Sequence, residues 1–167
     1  MGTTTYLVAL GSNRRSRHGS PARAVAAAIG ALDGVRGASP IIASAPVGPS
    51  IRRFANAVVL VDSPLAPPAM LGRLKAIEQA FGRRSGRRWA ARVIDLDLIL
   101  WSGGAWRSPG LTVPHPAFRH RDFVLGPAAT IVPGWRDPLT GLTMRQLHRR
   151  LTAARPSNRR RDAGWGP

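Results

Sequence analysis

Residues 88–100 constrain the fold most, because charged and aliphatic side chains alternate in the second half of this segment. In a β-strand successive side chains point to opposite faces, so Asp95 and Asp97 lie on one face and the leucines between and after them on the other. Two adjacent carboxylates in a half-buried strand repel each other unless a cation lies between them, and oxygen ligands suit a hard cation such as Mg²⁺. The segment therefore predicts a strand that carries a metal site on one face.

A second interpretation of the aspartate pair is a set of ordinary ion pairs. Arg88 and Arg92 lie near enough in sequence to neutralise the carboxylates, and exposed pairs of that kind need no metal. The whole chain has only eight acidic residues, however, and two of them stand two positions apart in an apolar run. That placement favours the metal interpretation.

Hydrophobic runs and turn residues predict the element order βαββαβ in the first hundred residues. Strands are expected at 5–10, 40–47, 54–62 and around Asp95, and helices at 22–32, after a Ser20 cap, and between Ser63-Pro64 and Gly82. This order is typical of an α+β, ferredoxin-like βαββαβ sandwich with helices on one face of the sheet. Additional strand and helix elements are expected on the C-terminal side, including a helix from Thr143 to Leu151.

Length and composition predict one domain, residues 1–154, followed by a basic tail, 155–167, that has no apolar face to bury. The chain has no cysteine, so it has no disulfide framework and no thiolate zinc site. No stretch approaches the ~20 apolar residues of a membrane span. We expect a cytoplasmic monomer without membrane contact.

The formal charge of +17, almost all of it arginine, predicts anionic partners such as nucleic acid, an acidic membrane surface or a phosphate-bearing small molecule. The planar guanidinium group can hold phosphate oxygens in a bidentate way, so an arginine-lined nucleotide pocket is one explanation of the excess. The chain lacks the glycine-rich lysine loop that commonly cradles phosphates, since Lys75 is its only lysine. Nucleotide phosphates would instead be bound by Mg²⁺ on the aspartates and by guanidinium groups.

Several segments in a fixed order carry a resemblance to a known family. They are Tyr6-Leu7-Val8-Ala9-Leu10-Gly11-Ser12-Asn13, Phe54-Ala55-Asn56-Ala57-Val58, Arg88-x-Ala90-Ala91-Arg92-x-x-Asp95-Leu96-Asp97-Leu98-Ile99, Leu111-Thr112-Val113-Pro114-His115-Pro116 and Arg121-Asp122-Phe123. Together they resemble the 6-hydroxymethyl-7,8-dihydropterin pyrophosphokinase family of folate biosynthesis. The resemblance implies transfer of pyrophosphate from ATP to the hydroxymethyl group of the dihydropterin, which gives AMP and the dihydropterin diphosphate. It also implies two Mg²⁺ ions that bridge the paired aspartates and the triphosphate.

The resemblance further implies roles for individual residues. The catalytic group is Arg92, Asp95, Asp97 and Arg121, and the two aspartates are the metal ligands. The nucleotide-binding group is Arg83, Arg84, Trp89, Thr112, His115 and the backbone of Leu98. The pterin-binding group is Ser44, Val47, Phe54, Asn56 and Phe123.

The chemistry of these side chains agrees with the implied roles in part. The amide of Asn56 can both donate and accept hydrogen bonds, as the edge of a pterin requires, whereas Phe54 and Phe123 could equally be core residues. His115 could be an ordinary surface or core histidine. Glu78 matches an acidic family position, but a helix-surface pair with Lys75 or Arg84 explains it too.

Some features depart from the family pattern. They are Ala45 and Ala91 in place of a common proline, Gly110 in place of a common arginine, and loops at 48–53 and 82–88 that are one residue short. Candidates to replace the missing arginine are Arg87, Arg107 and Arg119. These departures concern loop motion and substrate affinity more than the type of reaction.

Two alternatives stay open at the level of the sequence. A basic ferredoxin-like module that binds RNA would share the element order and the charge, but it calls for exposed aromatic residues on its central strands. A pyrophosphokinase paralogue of another pterin pathway would share the site. The basic tail could also contact RNA weakly and without sequence preference.

Overall fold

The computed structural model describes residues 2–44, 53–82 and 93–153, with the side chain of Ser44 excepted. The elements in chain order are β1 (Thr4–Ser12), α1 (Pro21–Ala31), β2 (Val35–Ala38), β3 (Ile42–Ser44), β4 (Phe54–Ser63), α2 (Pro67–Gly82), β5 (Asp95–Trp101), β6 (Trp106–Ser108), β7 (Leu111–Val113), a 3₁₀ turn (Phe118–His120), α3 (Asp122–Ile131) and α4 (Met144–Thr152).

The main sheet is antiparallel and has the strand order β2-β4-β1-β5, with β3 also paired to β4. Strands β1 and β2 are joined by α1 and separated by β4, which is the split βαβ arrangement of ferredoxin-like folds. The predicted α+β class and ferredoxin-like order are confirmed. A separate hairpin, β6-β7, follows β5.

The structure corrects the single strand predicted at 40–47. Within the described part of that range, β3 (Ile42–Ser44) is the strand; a further strand that was not predicted, β2 (Val35–Ala38), precedes it, with Ser39, Pro40 and Ile41 between them. Pro40 has no N–H to donate to a ladder, and the buried hydroxyl of Ser39 accepts a hydrogen bond from the Val58 N–H at 2.9 Å. A side-chain oxygen thus replaces a ladder carbonyl where the strand is interrupted. Residues 45–47 lie outside the described part of the chain.

Helices cover both faces of the sheet, which corrects the prediction of helices on one face. Helices α1 and α2 pack on the face that presents Tyr6, Val8 and Leu10. Helices α3 and α4 pack on the opposite face, where Val124, Leu125, Ala128, Met144 and Leu147 contact Leu7, Val58 and Ile99. The additional C-terminal elements therefore complete a second hydrophobic layer.

The predicted helix boundaries hold where a cap is visible in the sequence. Ser20 caps α1 through a hydrogen bond from the Arg23 N–H, and Thr143 forms a capping box with Gln146 at the start of α4. The sequence does not predict α3, because Gly126 and Pro127 stand inside it.

A buried ion pair fixes the segment that leads from the hairpin into α3. Asp137, which is fully buried, accepts hydrogen bonds from Nε and Nη2 of Arg119 at 2.6 and 2.8 Å. The Leu139 N–H and the Thr140 hydroxyl also donate to this carboxylate, at 3.0 and 2.8 Å. The 3₁₀ turn is thereby tied to the loop between α3 and α4.

Within the described ranges, no helix combines the length and the apolar character needed to cross a bilayer. The predicted tail, 155–167, lies outside those ranges, so the domain boundary at 154 stays a prediction.

Candidate active site

Three neighbouring strands bring the predicted polar residues into register at one end of the sheet. Gly11 of β1 pairs with Asn56 of β4 on one side and with Asp95 of β5 on the other. Ala9 pairs with Asp97 in the same way. Directly opposite residues of an antiparallel pair face the same side, so Asn56 and both aspartates share one face of the sheet.

The small residues of β1 leave room between the amide and the carboxylates. A Cβ atom at Gly11 would lie 3.0 Å from Oδ1 of Asn56, closer than side chains normally approach. Asn56 itself is buried. Glycine at position 11 therefore allows the amide to occupy its observed position.

A cavity of about 420 Å³ opens over this part of the sheet, and we call it the Asn56 cavity. Its lining combines the sheet residues with the 3₁₀ turn and the start of α3, and consists of Ala9, Leu10, Gly11, Phe54, Asn56, Asp95, Asp97, His120, Arg121, Phe123 and Val124. Two half-buried phenylalanines and one amide are the groups that could bind a flat heterocycle with donors and acceptors on its edge.

A second cavity of about 500 Å³ lies on the outer side of β5, between α2 and the β6-β7 hairpin. We call it the His115 cavity. It is lined by Leu71, Lys75, Leu96, Asp97, Leu98, Arg107, Ser108, Gly110, Leu111, Thr112, His115 and Pro116. Three predicted nucleotide-binding residues, Leu98, Thr112 and His115, therefore lie in one cavity.

Asp97 lines both cavities, whereas Asp95 lines the Asn56 cavity. Nη1 of Arg121 lies 3.5 Å from Oδ2 of Asp97. The two side chains are 35% and 42% exposed, so this ion pair is open to solvent and to ligands. Asp97 thus forms the wall at which the two cavities meet.

Arg121 is the residue before α3 and projects into the Asn56 cavity. Its guanidinium carbon lies 5.7 Å from the centre of the Phe123 ring, within the range of a cation–π contact. Arg121 therefore joins an aromatic ring of one cavity to the carboxylate that both cavities share.

His115 is held by its backbone and by its ring. Its N–H donates to the Ile99 carbonyl at 2.9 Å, and its Nδ1 accepts from the Ala117 N–H at 3.1 Å. Burial, chiefly, lowers the pKa of His115, and nearby Arg121 lowers it too, while Asp97 acts in the opposite direction. The ring is therefore neutral near pH 7, with its proton on Nε2 as a hydrogen-bond donor.

Glu78 makes structural contacts beside the His115 cavity, among them the pair with Lys75 that the sequence suggested, while Arg84, the other suggested partner, lies outside the described residues. Its Oε1 accepts a hydrogen bond from the Leu96 N–H at 2.8 Å, and its Oε2 lies 3.6 Å from the ammonium of Lys75. The N–H group of Leu96 therefore points to the outer edge of β5, away from β1. Because backbone N–H and C=O groups alternate in direction along a strand, those of Leu98, two residues on, point to the same edge. The backbone of Leu98 faces the cavity while its side chain is buried.

The aspartate pair fits a magnesium ion that is shared with a bound phosphate. Among residues 2–44, 53–82 and 93–153, no three metal-ligating side chains cluster. Mg²⁺ commonly takes one or two carboxylates and completes its coordination with substrate phosphates and water. Two carboxylates beside an open cavity match that requirement and do not match a closed structural metal site.

Several predicted site residues fall outside the described part of the chain. They are Val47, Arg83, Arg84, Trp89 and Arg92. Ser44 is described only as backbone, where it pairs with Phe54 across β3 and β4. The contributions of these residues stay predictions.

The structure distinguishes the three candidates to replace the arginine that the family commonly has at position 110. Arg119 is engaged with buried Asp137, so it is not available to a ligand. Arg107 lines the His115 cavity. Arg87 lies outside the described residues.

Sequence reasoning did not assign several cavity residues to a site, among them His120, Leu71, Lys75 and Ser108. Helical spacing places Leu71 and Lys75 on one face of α2, which is a signal for a shared position but not for a cavity. The positions of His120 and Ser108 depend on the 3₁₀ turn and the hairpin, which the sequence does not predict.

The fold and the site define an α+β protein of the ferredoxin-like class in which two cavities meet at a carboxylate. Residues 7–133 match the family model of 7,8-dihydro-6-hydroxymethylpterin-pyrophosphokinase. The chain belongs to this family.

Curated relatives carry the corresponding enzyme name, 2-amino-4-hydroxy-6-hydroxymethyldihydropteridine pyrophosphokinase. The protein of Synechocystis sp. is 43% identical over 100 residues, which cover 60% of this chain and 51% of the relative. The protein of Pseudomonas aeruginosa is 38% identical over 137 residues, covering 78% of this chain and 82% of the relative. The chain thus spans about half the length of the first relative and most of the second.

Solved structures support the fold. The crystal structure of wild-type HPPK-DHPS from Plasmodium falciparum matches with a TM-score of 0.68 and 14% identity, over 89% of this chain and 41% of that chain. The same protein with pteroate matches with a TM-score of 0.67, 15% identity and coverage of 89% and 42%.

Proposed function

We propose that the chain transfers pyrophosphate from ATP to 6-hydroxymethyl-7,8-dihydropterin, with release of AMP, in folate biosynthesis. The observation that carries this proposal is the position of Asp97 on the wall shared by the two cavities. A transfer between two substrates needs their reacting atoms to meet at one place, and positioning of this kind accounts for much of enzymatic catalysis.

The dihydropterin would occupy the Asn56 cavity. The amide of Asn56 would read the donor and acceptor edge of the heterocycle, and the rings of Phe54 and Phe123 would contact its faces. This orientation would direct the hydroxymethyl group toward the aspartates.

ATP would occupy the His115 cavity. The backbone of Leu98 would bind the adenine edge, and the Thr112 hydroxyl and the Nε2–H of His115 would donate to ribose or phosphate oxygens. The triphosphate would then extend toward Asp97.

In the proposed reaction the hydroxymethyl oxygen bonds to the β-phosphorus of ATP and releases its proton to solvent water. The bond from that phosphorus to the oxygen shared with the α-phosphate breaks, and AMP leaves. Asp95 and Asp97 would hold magnesium, which supplies neutralisation of phosphate charge and orients the attacking oxygen. Arg121, 3.5 Å from Asp97, would stabilise the charge that develops on the transferred phosphates.

The experiment is an AMP-release assay with purified full chain, ATP, Mg²⁺ and the dihydropterin. AMP should form only when all three are present, and Asp95→Asn and Asp97→Asn should each reduce turnover severely while the chain stays folded. Asp33→Asn is a matched control, because this aspartate is 91% exposed and lines neither cavity. AMP formation that does not depend on the pterin would sink the proposal.

The RNA-binding alternative lacks support from the structure. Modules of that type stack bases on an open sheet face, whereas helices α1–α4 cover both faces of the main sheet. The relatives are named for the folate-type pterin substrate, which gives no support to a paralogue of another pathway. The number of magnesium ions, a monomeric state, a cytoplasmic location and weak RNA contact by the tail stay predictions.

A further inference from the structure

We infer that Arg107 binds a phosphate of the nucleotide in the His115 cavity. The inference rests on the proposed use of that cavity by ATP and adds a residue whose role neither the family name nor the relatives' names specify. It starts from the β6-β7 hairpin, in which Arg107 pairs directly with Thr112.

The hairpin fixes the direction in which Arg107 projects. Directly opposite residues of an antiparallel pair have their side chains on the same face, about 5 Å apart at Cβ. Arg107 and Thr112 are both exposed and both line the His115 cavity, whereas their neighbours Leu111 and Val113 are buried in the core. The core therefore anchors the hairpin and leaves one arginine and one threonine facing the cavity.

The turn of the hairpin holds this register. Two residues, Pro109 and Gly110, connect the closing pair Ser108 and Leu111. Gly110 has a φ of 74°, which is the left-handed conformation required at the third position of a type II turn after proline. The tight turn limits slippage between β6 and β7, so Arg107 stays opposite Thr112.

Charge in the cavity favours a phosphate partner for Arg107. Among the described residues Arg107 forms no ion pair, whereas Lys75 of the same cavity lies 3.6 Å from Glu78. Arg107 is therefore the cation of the described lining whose charge is not already balanced by a carboxylate. A guanidinium group offers a planar fork of N–H donors that matches phosphate oxygens.

The test compares the full chain with Arg107→Ala and Arg107→Lys, with Arg149→Ala as a matched control. Arg149 is exposed on α4 and lines neither cavity, so its loss reports the general effect of one positive charge. Binding of a non-hydrolysable ATP analogue with Mg²⁺ and binding of adenosine are measured by calorimetry, and KM for ATP is measured by AMP release.

Arg107→Ala should weaken binding of the ATP analogue on the order of tenfold and leave adenosine binding unchanged, with partial recovery in Arg107→Lys. KM for ATP should rise by a similar factor, and Arg149→Ala should match the parent chain. Equal analogue affinity in Arg107→Ala and the parent, or an equal loss for adenosine, would overturn the inference.

The binding measurements and the AMP-release assay together distinguish failure of this inference from failure of the proposed function. A parent chain that makes AMP while Arg107→Ala binds nucleotide normally would retain the proposed function and overturn the role of Arg107. A parent chain that makes no AMP but loses analogue affinity through Arg107→Ala would overturn the proposed function and retain the role of Arg107.

Discussion

The carboxylate of Asp97 lies 3.5 Å from the guanidinium of Arg121 and forms the wall between the Asn56 and His115 cavities. The Asp97 carboxylate is thereby within reach of both proposed substrates. The positive charge of Arg121 lies on the Asn56-cavity side of Asp97, where the proposed reaction would bring phosphate charge during transfer.

Replacement of Arg121 by glutamine should lower kcat on the order of 100-fold, because a preorganised donor to the developing phosphate charge is lost. Affinity for the ATP analogue should fall by a smaller factor than kcat, since Arg121 lines the Asn56 cavity and its charge acts on the His115 cavity only from beside Asp97. Steady-state kinetics and calorimetry check the two statements. An unchanged kcat would rule out the proposed role.

Gly11→Ala should weaken dihydropterin binding by roughly tenfold, because the new Cβ atom would press on Oδ1 of Asn56 from 3.0 Å and displace the amide. Gly30→Ala is the control, since a Cβ atom there meets nothing within 4 Å in α1. That control should bind normally and gain about 0.5–1 kcal/mol of unfolding free energy from helix propensity. Equal pterin affinity in the two variants would contradict the assigned role of Asn56.

Glu78→Ala should lower the free energy of unfolding by about 1–3 kcal/mol, because it leaves the Leu96 N–H without the acceptor seen at 2.8 Å. Glu78→Gln keeps an oxygen for that N–H and loses mainly the contact with half-exposed Lys75, so it should be much milder. Urea unfolding of the two variants gives the comparison. A glutamine variant as unstable as the alanine variant would show that the ion pair matters more than the strand contact.

Asp137 should make the protein sensitive to acid. Burial alone would raise the pKa of Asp137, but hydrogen bonds from Arg119, Leu139 and Thr140 and the Arg119 charge together bring it below its ordinary value. A group with a lowered pKa in the folded state stabilises the fold above its unfolded pKa, about 3.9, and this contribution is lost as the pH falls through the folded-state pKa.

Asp137→Asn should therefore cost about 3 kcal/mol of unfolding free energy near neutral pH, and the difference from the parent chain should shrink below pH 4. Urea titrations at a series of pH values measure this difference. A difference that stays constant down to pH 2 would mean that the Asp137 charge is not responsible.

Patterns over a few residues of sequence predicted the parts of the fold that depend on neighbouring residues alone. The alternation around Asp95 and Asp97 identified β5 and its polar face, and the Ser20 cap identified the start of α1, because strand period and capping act over a few residues. The same information does not reveal α3, since Gly126 and Pro127 argue against a helix that packing against the sheet nevertheless stabilises.

The membership of the cavities depends on contacts between distant segments. Arg107 reaches the His115 cavity through its register with Thr112, and Asp97 acquires Arg121 as a partner across 24 positions of sequence. The break at Ser39 likewise depends on Val58. Register and packing decide these positions, and neither is visible in a single segment.

A crystal structure of the full chain with Mg²⁺, a non-hydrolysable ATP analogue and 6-hydroxymethyl-7,8-dihydropterin tests the central claim most directly. We predict the nucleotide in the His115 cavity, the pterin against Asn56, and the β-phosphate and hydroxymethyl oxygen next to each other at Asp97. Substrates bound in one common cavity, or a β-phosphate remote from Asp97, would contradict the account.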